Sequence, residues 1–427
     1  MIAALACRLP FFYGWLVVAV VFVTMAVGVN ARTAFSLLFP PILEEFHWNR
    51  GATAGAFSFG FLVSAFLSPA IGRLMDRKGP VWVMELGALA LAAGMMLATY
   101  SSEPWHLYAT LGVLVGGGSV ATGYSGQGYY LPNWFQRNRG LAISIAYSGA
   151  GAGSIVLLPY LQHLIAADGW RAACRTVAVV SIVLLVPLNL LLRRHPRDLG
   201  LTPDGDSAAV AQSRRNVTIV DPAWAAIEWT LGRAIRTRRF WWIALGSFGG
   251  LFTWYAVQVH QTKYLQDIGF SPEIAGWALG VVSLAGVPGQ IVMGAVSDRI
   301  GREPVWALGC LGFVLTYVLL IALAWYPSAV LLWLMVLAQG TLGYAITSVL
   351  STVTAEIFEG RHFGAIFSSI MVAAITGGAA GPYAVGVLHD VTGSDIPGFA
   401  LAGGVAVVSA AAIWIAAPRK VRRVGRP

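Results

Sequence analysis

Charged residues are scarce in this sequence. Asp, Glu, Lys and Arg make up 11% of the 427 residues, whereas 57% are hydrophobic; an average soluble protein is about 25% charged. A soluble chain of this length would need far more polar residues to cover its surface. The composition therefore excludes a soluble enzyme and a disordered chain, and it predicts an all-α membrane protein.

Cysteine is scarce too. Cys7, Cys174 and Cys310 are far apart in the sequence, which excludes a disulfide framework and a thiolate metal site. We expect them to be small buried hydrophobic residues. The glycine run at 116–118 follows no strand and precedes no Lys-Ser/Thr pair, so it is not a phosphate-binding loop. We expect neither a metal nor a cofactor.

Long apolar runs fill the rest of the chain. A membrane crossing needs about 20 apolar residues, and the first run is too long for a cleaved signal peptide. Charged residues, Gly and Pro divide the runs into twelve predicted spans. Numbered 1 to 12, these cover 13–38, 51–74, 81–100, 106–131, 140–165, 171–192, 240–264, 274–297, 304–325, 329–356, 364–388 and 398–417.

The basic residues are distributed unevenly between the two sides of these spans. If the N-terminus is cytoplasmic, 23 of the 28 Lys and Arg residues fall on cytoplasmic segments, as the positive-inside rule requires. We therefore expect a multi-pass protein of the cell inner membrane with both termini cytoplasmic. The net charge of +9 then follows from topology, and no nucleic-acid partner is expected.

A polar stretch divides the spans into two sets of six. We predict an N-terminal bundle at 1–192, a cytoplasmic linker at 193–239, a C-terminal bundle at 240–417 and a basic tail at 418–427. In the linker, Trp224, Ile227, Leu231 and Ile235 have spacings of 3, 4 and 4. This pattern favours a helix lying in the membrane interface; a solvated linker is the alternative.

The two halves repeat each other. Gly72-Arg-Leu-Met-Asp-Arg-Lys-Gly-Pro-Val-Trp82 recurs as Gly294-Ala-Val-Ser-Asp-Arg-Ile-Gly-Arg-Glu-Pro-Val-Trp306, with the aspartates 222 residues apart. The small-residue helices after Gly140 and Gly364 form a second repeat. Internal repeats of this kind are typical of secondary transporters.

The Gly-x-x-x-Asp-Arg-x-Gly loop after span 2, repeated after span 8, resembles the signature of the major facilitator superfamily. The resemblance covers the whole chain and implies two pseudo-symmetric six-helix bundles. Within the superfamily, Tyr13-Gly14-Trp15, Phe39-Pro-Pro-Ile42 and Trp134-Phe135-x-x-x-Arg139-Gly140 resemble the branch of monocarboxylate transporters and oxalate/formate exchangers.

The repeated loops predict a conformational switch. A carboxylate at the end of span 2 or span 8 can accept hydrogen bonds from a neighbouring Arg and from the amides that begin a facing helix. Such contacts would favour one transport state and break in the other. The predicted switch residues are Asp76, Arg77, Gly79, Arg139, Asp298, Arg299, Gly301 and Arg361. The glycines at 149–153 and 377–381 are expected to let the halves slide.

Arg32 in span 1 is the leading candidate for substrate binding. A guanidinium pairs with both oxygens of a carboxylate, and the resemblance implies a cation near this position; an Arg that snorkels to the headgroups is the alternative. Span 8 contains no Arg or Asp between 274 and 297, and span 11 contains no Lys between 364 and 388. The resemblance implies an Arg/Asp pair in span 8 of a monocarboxylate transporter and a Lys in span 11 of an oxalate/formate exchanger. The chain thus departs from both members of the branch, and the resemblance implies no particular substrate.

His260 in span 7 is the candidate proton carrier, because an unperturbed imidazole titrates near 6.5. The alternative is a histidine that bonds a backbone carbonyl. Lys263 is read as an interfacial anchor. Other polar side chains of the spans could line the cavity or could merely join helices: Asn30, Tyr124, Gln127, Tyr147, Gln258, Gln261, Tyr344 and Tyr383.

These residues together predict a secondary active transporter of small organic anions that works by alternating access. A monocarboxylate carried by proton symport is the first hypothesis; an organic-anion exchanger and an efflux pump for amphipathic compounds are the alternatives. An enzyme is not expected, because no nucleophile–base pair or metal-spaced cluster is present. The expected partners are the anion, protons and the lipid bilayer, and we expect a monomer to function.

Overall fold

A computed structural model describes residues 10–47, 50–206 and 219–423. Within these ranges the chain is helical apart from loops and an isolated β-bridge. The helical segments are, by span: 1, Tyr13–Thr33 and Phe35–Phe46; 2, Arg50–Lys78; 3, Pro80–Ala98; 4, Pro104–Leu107, Tyr108–Val115, Gly116–Thr122 and Tyr124–Gly128; 5, Arg139–Asp168; 6, Trp170–Val180, Ser181–Leu185 and Val186–Asn189; 7, Arg238–Asp267; 8, Pro272–Ile300; 9, Arg302–Trp325; 10, Ala329–Leu337, Ala338–Gly343 and Ala345–Ile357; 11, Phe363–Thr392; 12, Ile396–Ala416.

Eleven helices in the described part are long and apolar enough to cross a membrane. Span 4 is the one predicted span that is not among them. Its first half is π-helical over Tyr108–Val115, and the backbone is extended at Gly123. A Cβ at Gly123 would lie 2.7 Å from the Ser119 carbonyl oxygen, so the chain at this break passes too close to the preceding turn for a larger residue. The prediction of about twelve membrane helices is confirmed.

The chain forms two units. The first contains Met1–Gln136 and Ile145–Ala211, and the second contains Arg137–Ser144 and Gln212–Pro427. The helix of span 5 belongs to both, because its first six residues, Arg139–Ser144, lie in the second unit.

Glycine makes the connection after span 2 and after span 8. Gly79 has φ 79° and ψ 177°, and Gly301 has φ 101° and ψ 170°. In this region of backbone space glycine is essentially the only residue tolerated. Each glycine amide still closes the preceding helix, and the following residue begins the next one. The repeated glycine of the signature loop is therefore required by a one-residue turn between two helices.

Other glycines bring helices of the same unit together. A Cβ at Gly149 would lie 2.1 Å from the Phe22 carbonyl oxygen of span 1, and a Cβ at Gly377 would lie 2.1 Å from the Phe248 carbonyl oxygen of span 7. Small residues permit such close packing in membranes. These two glycines join spans 5 and 1, and spans 11 and 7, within their own units; their part in sliding between the halves stays a prediction.

The linker differs from the single interfacial helix that its periodicity favours. The structure has two short helices, Pro222–Ala225 and Leu231–Ala234. The chain between them turns so that the ring centroids of Trp224 and Trp229 lie 4.4 Å apart.

Cys174 and Cys310 are buried, as predicted. Cys7, Arg214, Arg215 and Arg426 lie outside the described residues.

Candidate functional site

Arg32 is held against span 2. Its Nη2 donates a hydrogen bond of 2.8 Å to Ser64 Oγ, and its Cζ lies 3.9 Å from the centroid of the Phe61 ring. The side chain is half-buried. The hydroxyl and the ring face orient the guanidinium within the first unit, and a cation over a ring face is stabilised by the ring quadrupole. Neither Ser64 nor Phe61 was identified from the sequence.

A small, mostly apolar recess adjoins Arg32. It is formed by side chains from spans 1 to 4 of the first unit: Ala31, Arg32, Phe35, Gly60, Met95, Leu111 and Val115. A cation next to apolar walls suits a ligand with a charged end and an apolar body.

Two predicted substrate contacts of the first unit join helices instead. Asn30 donates to the carbonyl oxygens of Ala26 and Ala150, at 2.8 and 2.9 Å, and accepts from Ser154. Gln127 donates to the Thr122 carbonyl oxygen at 3.2 Å. Both side chains are buried, so neither offers surface to a solute. In this structure they join helical segments, and their part in substrate binding stays a prediction.

Tyr124 and Tyr147 come together. The Tyr147 hydroxyl donates to the Tyr124 carbonyl oxygen at 3.0 Å, and the rings meet edge to face at 5.1 Å. Tyr147 is buried, whereas Tyr124 is half-buried. The pair joins span 5 to the end of span 4, and of the two only Tyr124 retains appreciable exposed surface.

His260 reaches span 11 within the second unit. Its Nε2 lies 3.0 Å from the Pro382 carbonyl oxygen. A carbonyl oxygen only accepts, so Nε2 carries the hydrogen in this contact. The neighbouring Tyr383 is 76% exposed. The carbonyl-bonded alternative for His260 is the geometry observed.

The other polar residues of span 7 have different surroundings. Gln258 is exposed and accepts a hydrogen bond of 2.9 Å from Trp254 Nε1. Trp254 in turn meets the ring of half-buried Tyr344 at 4.4 Å. Gln261 is fully buried, and its amide atoms find no hydrogen-bond partner among the described residues. Of these residues, Trp254 is the one that contacts span 10, through Tyr344.

Asp298 is bound on two sides. Its carboxylate accepts hydrogen bonds from the amides of Gly140 and Leu141, at 2.8 and 2.9 Å, in the first turn of the span 5 helix. It also pairs with Arg302 at 2.7 Å, and Arg302 pairs with Glu356 at 2.7 Å. The expected arginine, Arg299, is exposed. The sequence pattern missed Arg302 and Glu356, which form the buried part of this cluster.

Asp76 has an equivalent partner in the first unit. Arg194, at the end of span 6, pairs with its carboxylate at 2.7 Å, whereas the predicted Arg77 is exposed. Arg139 is buried and Arg361 is exposed. In both halves the arginine next in sequence to the aspartate points outward, and an arginine farther along the chain pairs with it.

His195 follows Arg194. Burial and the positive charges of Arg194 and Arg197 lower the pKa of His195 to about 4. This histidine is therefore neutral at physiological pH and is a poor candidate for a proton carrier.

Comparison with known proteins identifies the family of the chain. Residues 15–351 and 260–427 match the model of the Major Facilitator Superfamily. The rat protein named Monocarboxylate transporter 13 is 28% identical over 392 residues, with 92% of this chain and 86% of the relative covered. Human Monocarboxylate transporter 11 is 28% identical over 425 residues, with 97% and 84% covered.

A solved structure of the proton:xylose symporter XylE has a TM-score of 0.73 at 14% identity, covering 94% of this chain and 95% of that one. This likeness concerns the fold alone. The fold is that of a multi-pass membrane transporter, and the sequence resembles the monocarboxylate transporter branch. The chain belongs to the Major Facilitator Superfamily.

Proposed function

We propose that this protein moves a small organic anion, most simply a monocarboxylate, together with a proton by alternating access. The names of the relatives at 28% identity support the substrate class. The observation that carries the proposal is the guanidinium of Arg32, which Ser64 and Phe61 orient beside an apolar recess in a membrane-spanning unit.

Arg32 would bind the carboxylate through its planar pair of N–H donors. A charged side chain inside a span is costly, about 2.5 to 3.5 kcal/mol on insertion scales, and such residues commonly mark a transport path. Phe61 and Ser64 would fix the guanidinium plane, which lowers the entropy lost when the anion binds.

His260 would carry the coupled proton. Its Nε2 contact with the Pro382 carbonyl oxygen leaves Nδ1 to take up the proton. Protonation would add a positive charge to the second unit and would favour an anion in the same cycle.

Asp298 would control the change of state. Its bonds to the amides of Gly140 and Leu141 hold the start of span 5, and we propose that they form in one state and break in the other. Asp76 with Arg194 would act in the equivalent way. We further propose the cell inner membrane as the location, with both termini cytoplasmic and the monomer as the working unit.

The test is uptake of labelled monocarboxylates into proteoliposomes, with and without an inward proton gradient. Wild type is compared with Arg32→Gln, Arg32→Lys and a matched control, Arg175→Gln, which removes an exposed arginine of span 6. We expect Arg32→Gln to lose gradient-driven uptake, Arg32→Lys to retain part of it with a higher KM, and the control to match wild type.

Two results would contradict parts of the proposal. Uptake that needs an anion inside the vesicle and ignores the proton gradient would identify an exchanger. Transport of a lipophilic cation but of no carboxylate would identify an efflux pump. His260→Gln separates the proton from the anion: we expect it to abolish stimulation by the gradient while anion counterflow continues.

A further inference from the structure

Three exposed arginines lie where the linker enters the membrane. Arg233, Arg236 and Arg238 precede Trp241, in the first turn of span 7, whose side chain is 62% exposed. We propose that this segment, residues 231–241, binds the headgroup of an anionic phospholipid. We call it the linker–span 7 patch.

Local hydrogen bonds fix the patch against the helix. Thr230 Oγ1 accepts from the Arg233 amide at 3.4 Å, and Thr237 Oγ1 accepts from the Phe240 amide at 3.3 Å, so each threonine caps the helix that follows it. Trp241 Nε1 donates to the Ile235 carbonyl oxygen at 2.8 Å. The arginines are therefore held within a few residues of a membrane-spanning helix.

The patch continues into an exposed apolar surface. Ile235 lies in the patch itself, and Leu245 lies one helical turn after Trp241 in span 7; both side chains are exposed. Span 12 packs against span 7 at Gly246, and its end adds exposed Trp414 and Ile415. Tryptophan at the end of a span is typical of the headgroup region. Acyl chains along this surface and a phosphate at the arginines would match a phospholipid.

The surrounding charges favour an anion. Arg233, Arg236 and Arg238 make no ion pair with a carboxylate among the described residues. Arg233 Nη1 donates to the backbone carbonyl oxygen of Glu228 at 3.0 Å, and the exposed carboxylate of Glu228 lies 3.9 Å from His362 Nε2. Two nearby arginines have partners within the protein, because Arg239 stacks on Trp224 and Arg419 pairs with Glu303. A basic segment next to a membrane attracts anionic lipid by about 1 kcal/mol per residue, which is about fivefold in affinity per arginine.

The experiment is a titration of the purified, detergent-solubilised protein with phosphatidylglycerol or phosphatidylcholine, read by native mass spectrometry. Wild type is compared with Arg233→Gln/Arg236→Gln/Arg238→Gln. The matched control is Arg73→Gln/Lys78→Gln/Arg197→Gln, which removes three exposed charges from the first unit. We expect the patch variant to bind phosphatidylglycerol at least tenfold more weakly, while the control binds it as wild type does.

Trp241→Ala tests the apolar part, and we expect it to weaken binding of both lipids. Thermal unfolding with inorganic phosphate, in place of lipid, tests whether the charge alone suffices; we expect no stabilisation. Wild-type affinity of the patch variant for phosphatidylglycerol would overturn the proposal. An equal loss of affinity in the matched control would overturn it too, as would a rise in unfolding temperature with phosphate equal to the rise with phosphatidylglycerol. None of these measurements depends on transport.

Discussion

At the scale of single residues, the buried charges around Arg302 have the clearest energetic consequence. The guanidinium is 1% exposed and lies 2.7 Å from both Asp298 and Glu356. A buried cation between two carboxylates repays its desolvation only while the whole cluster is intact. Removing one member leaves charge in a medium that cannot solvate it.

We expect Arg302→Met to lower the free energy of unfolding by about 3–5 kcal/mol, because Glu356 and Asp298 lose their shared partner. The double variant Arg302→Met/Glu356→Leu should recover part of this loss, because it also removes a buried carboxylate. Denaturation in detergent measures both variants. A double variant no more stable than Arg302→Met would show that the loss comes from packing rather than from unpaired charge.

Glu45 gives a prediction about pH. The hydrogen bond from Arg171 lowers the pKa of this carboxyl, with a further contribution from Trp170. A carboxyl whose pKa is lower in the folded state than in the unfolded state stabilises the fold at pH values above its unfolded-state pKa. This stabilisation disappears as pH falls through the folded-state pKa.

Both side chains of the Glu45–Arg171 pair are about one-third exposed or more, so we expect a contribution below about 1 kcal/mol. Glu45→Gln should therefore lower the unfolding temperature slightly at pH 7, and this difference should shrink as pH falls through the folded pKa of Glu45. Melting curves from pH 3 to 8 measure this. If the unfolding temperature of the variant stayed below that of wild type at the lowest pH, the loss would come from hydrogen bonding rather than from charge.

At the scale of elements, the turns after spans 2 and 8 are the most constrained. Gly301→Ala places a Cβ on a backbone that only glycine adopts readily, and we expect a loss of about 1–3 kcal/mol in the free energy of unfolding. Gly404→Ala is the matched control, because Gly404 lies on span 12 with open space around its Cα. The control should be neutral or slightly stabilising. Equal unfolding temperatures for the two variants would exclude strain at Gly301.

The elements also separate what the sequence could predict from what it could not. Apolar run length predicts the spans, because a helix must satisfy its backbone within lipid. It does not predict the π-helical turns of span 4, nor the close approach of Gly116 to Gly60 of span 2. The partner of Asp298 escaped prediction too: Arg302 faces it only because of the turn at Gly301, and Glu356 comes from span 10. Asn30 shows that a polar residue in a span need not face solute.

At the scale of the whole molecule, the uneven distribution of positive charge makes topology testable. Cys174 and Cys310 are buried, so the chain is nearly free of reactive thiols once Cys7 is replaced by Ser. A single cysteine added at an exposed loop position then reports which side of the membrane that loop occupies.

The decisive region is span 4, which is broken in the structure. Exposed Ser102 precedes it and exposed Arg137 follows it, so a crossing places these residues on opposite sides. We expect a membrane-impermeant maleimide to label Ser102→Cys in intact cells, but to label Arg137→Cys only after permeabilisation. Arg197→Cys, after span 6, should behave like Arg137→Cys, because a complete N-terminal bundle returns the chain to the cytoplasm. If Ser102→Cys and Arg137→Cys were labelled alike, span 4 would not cross, and a chain with eleven crossings would have its termini on opposite sides.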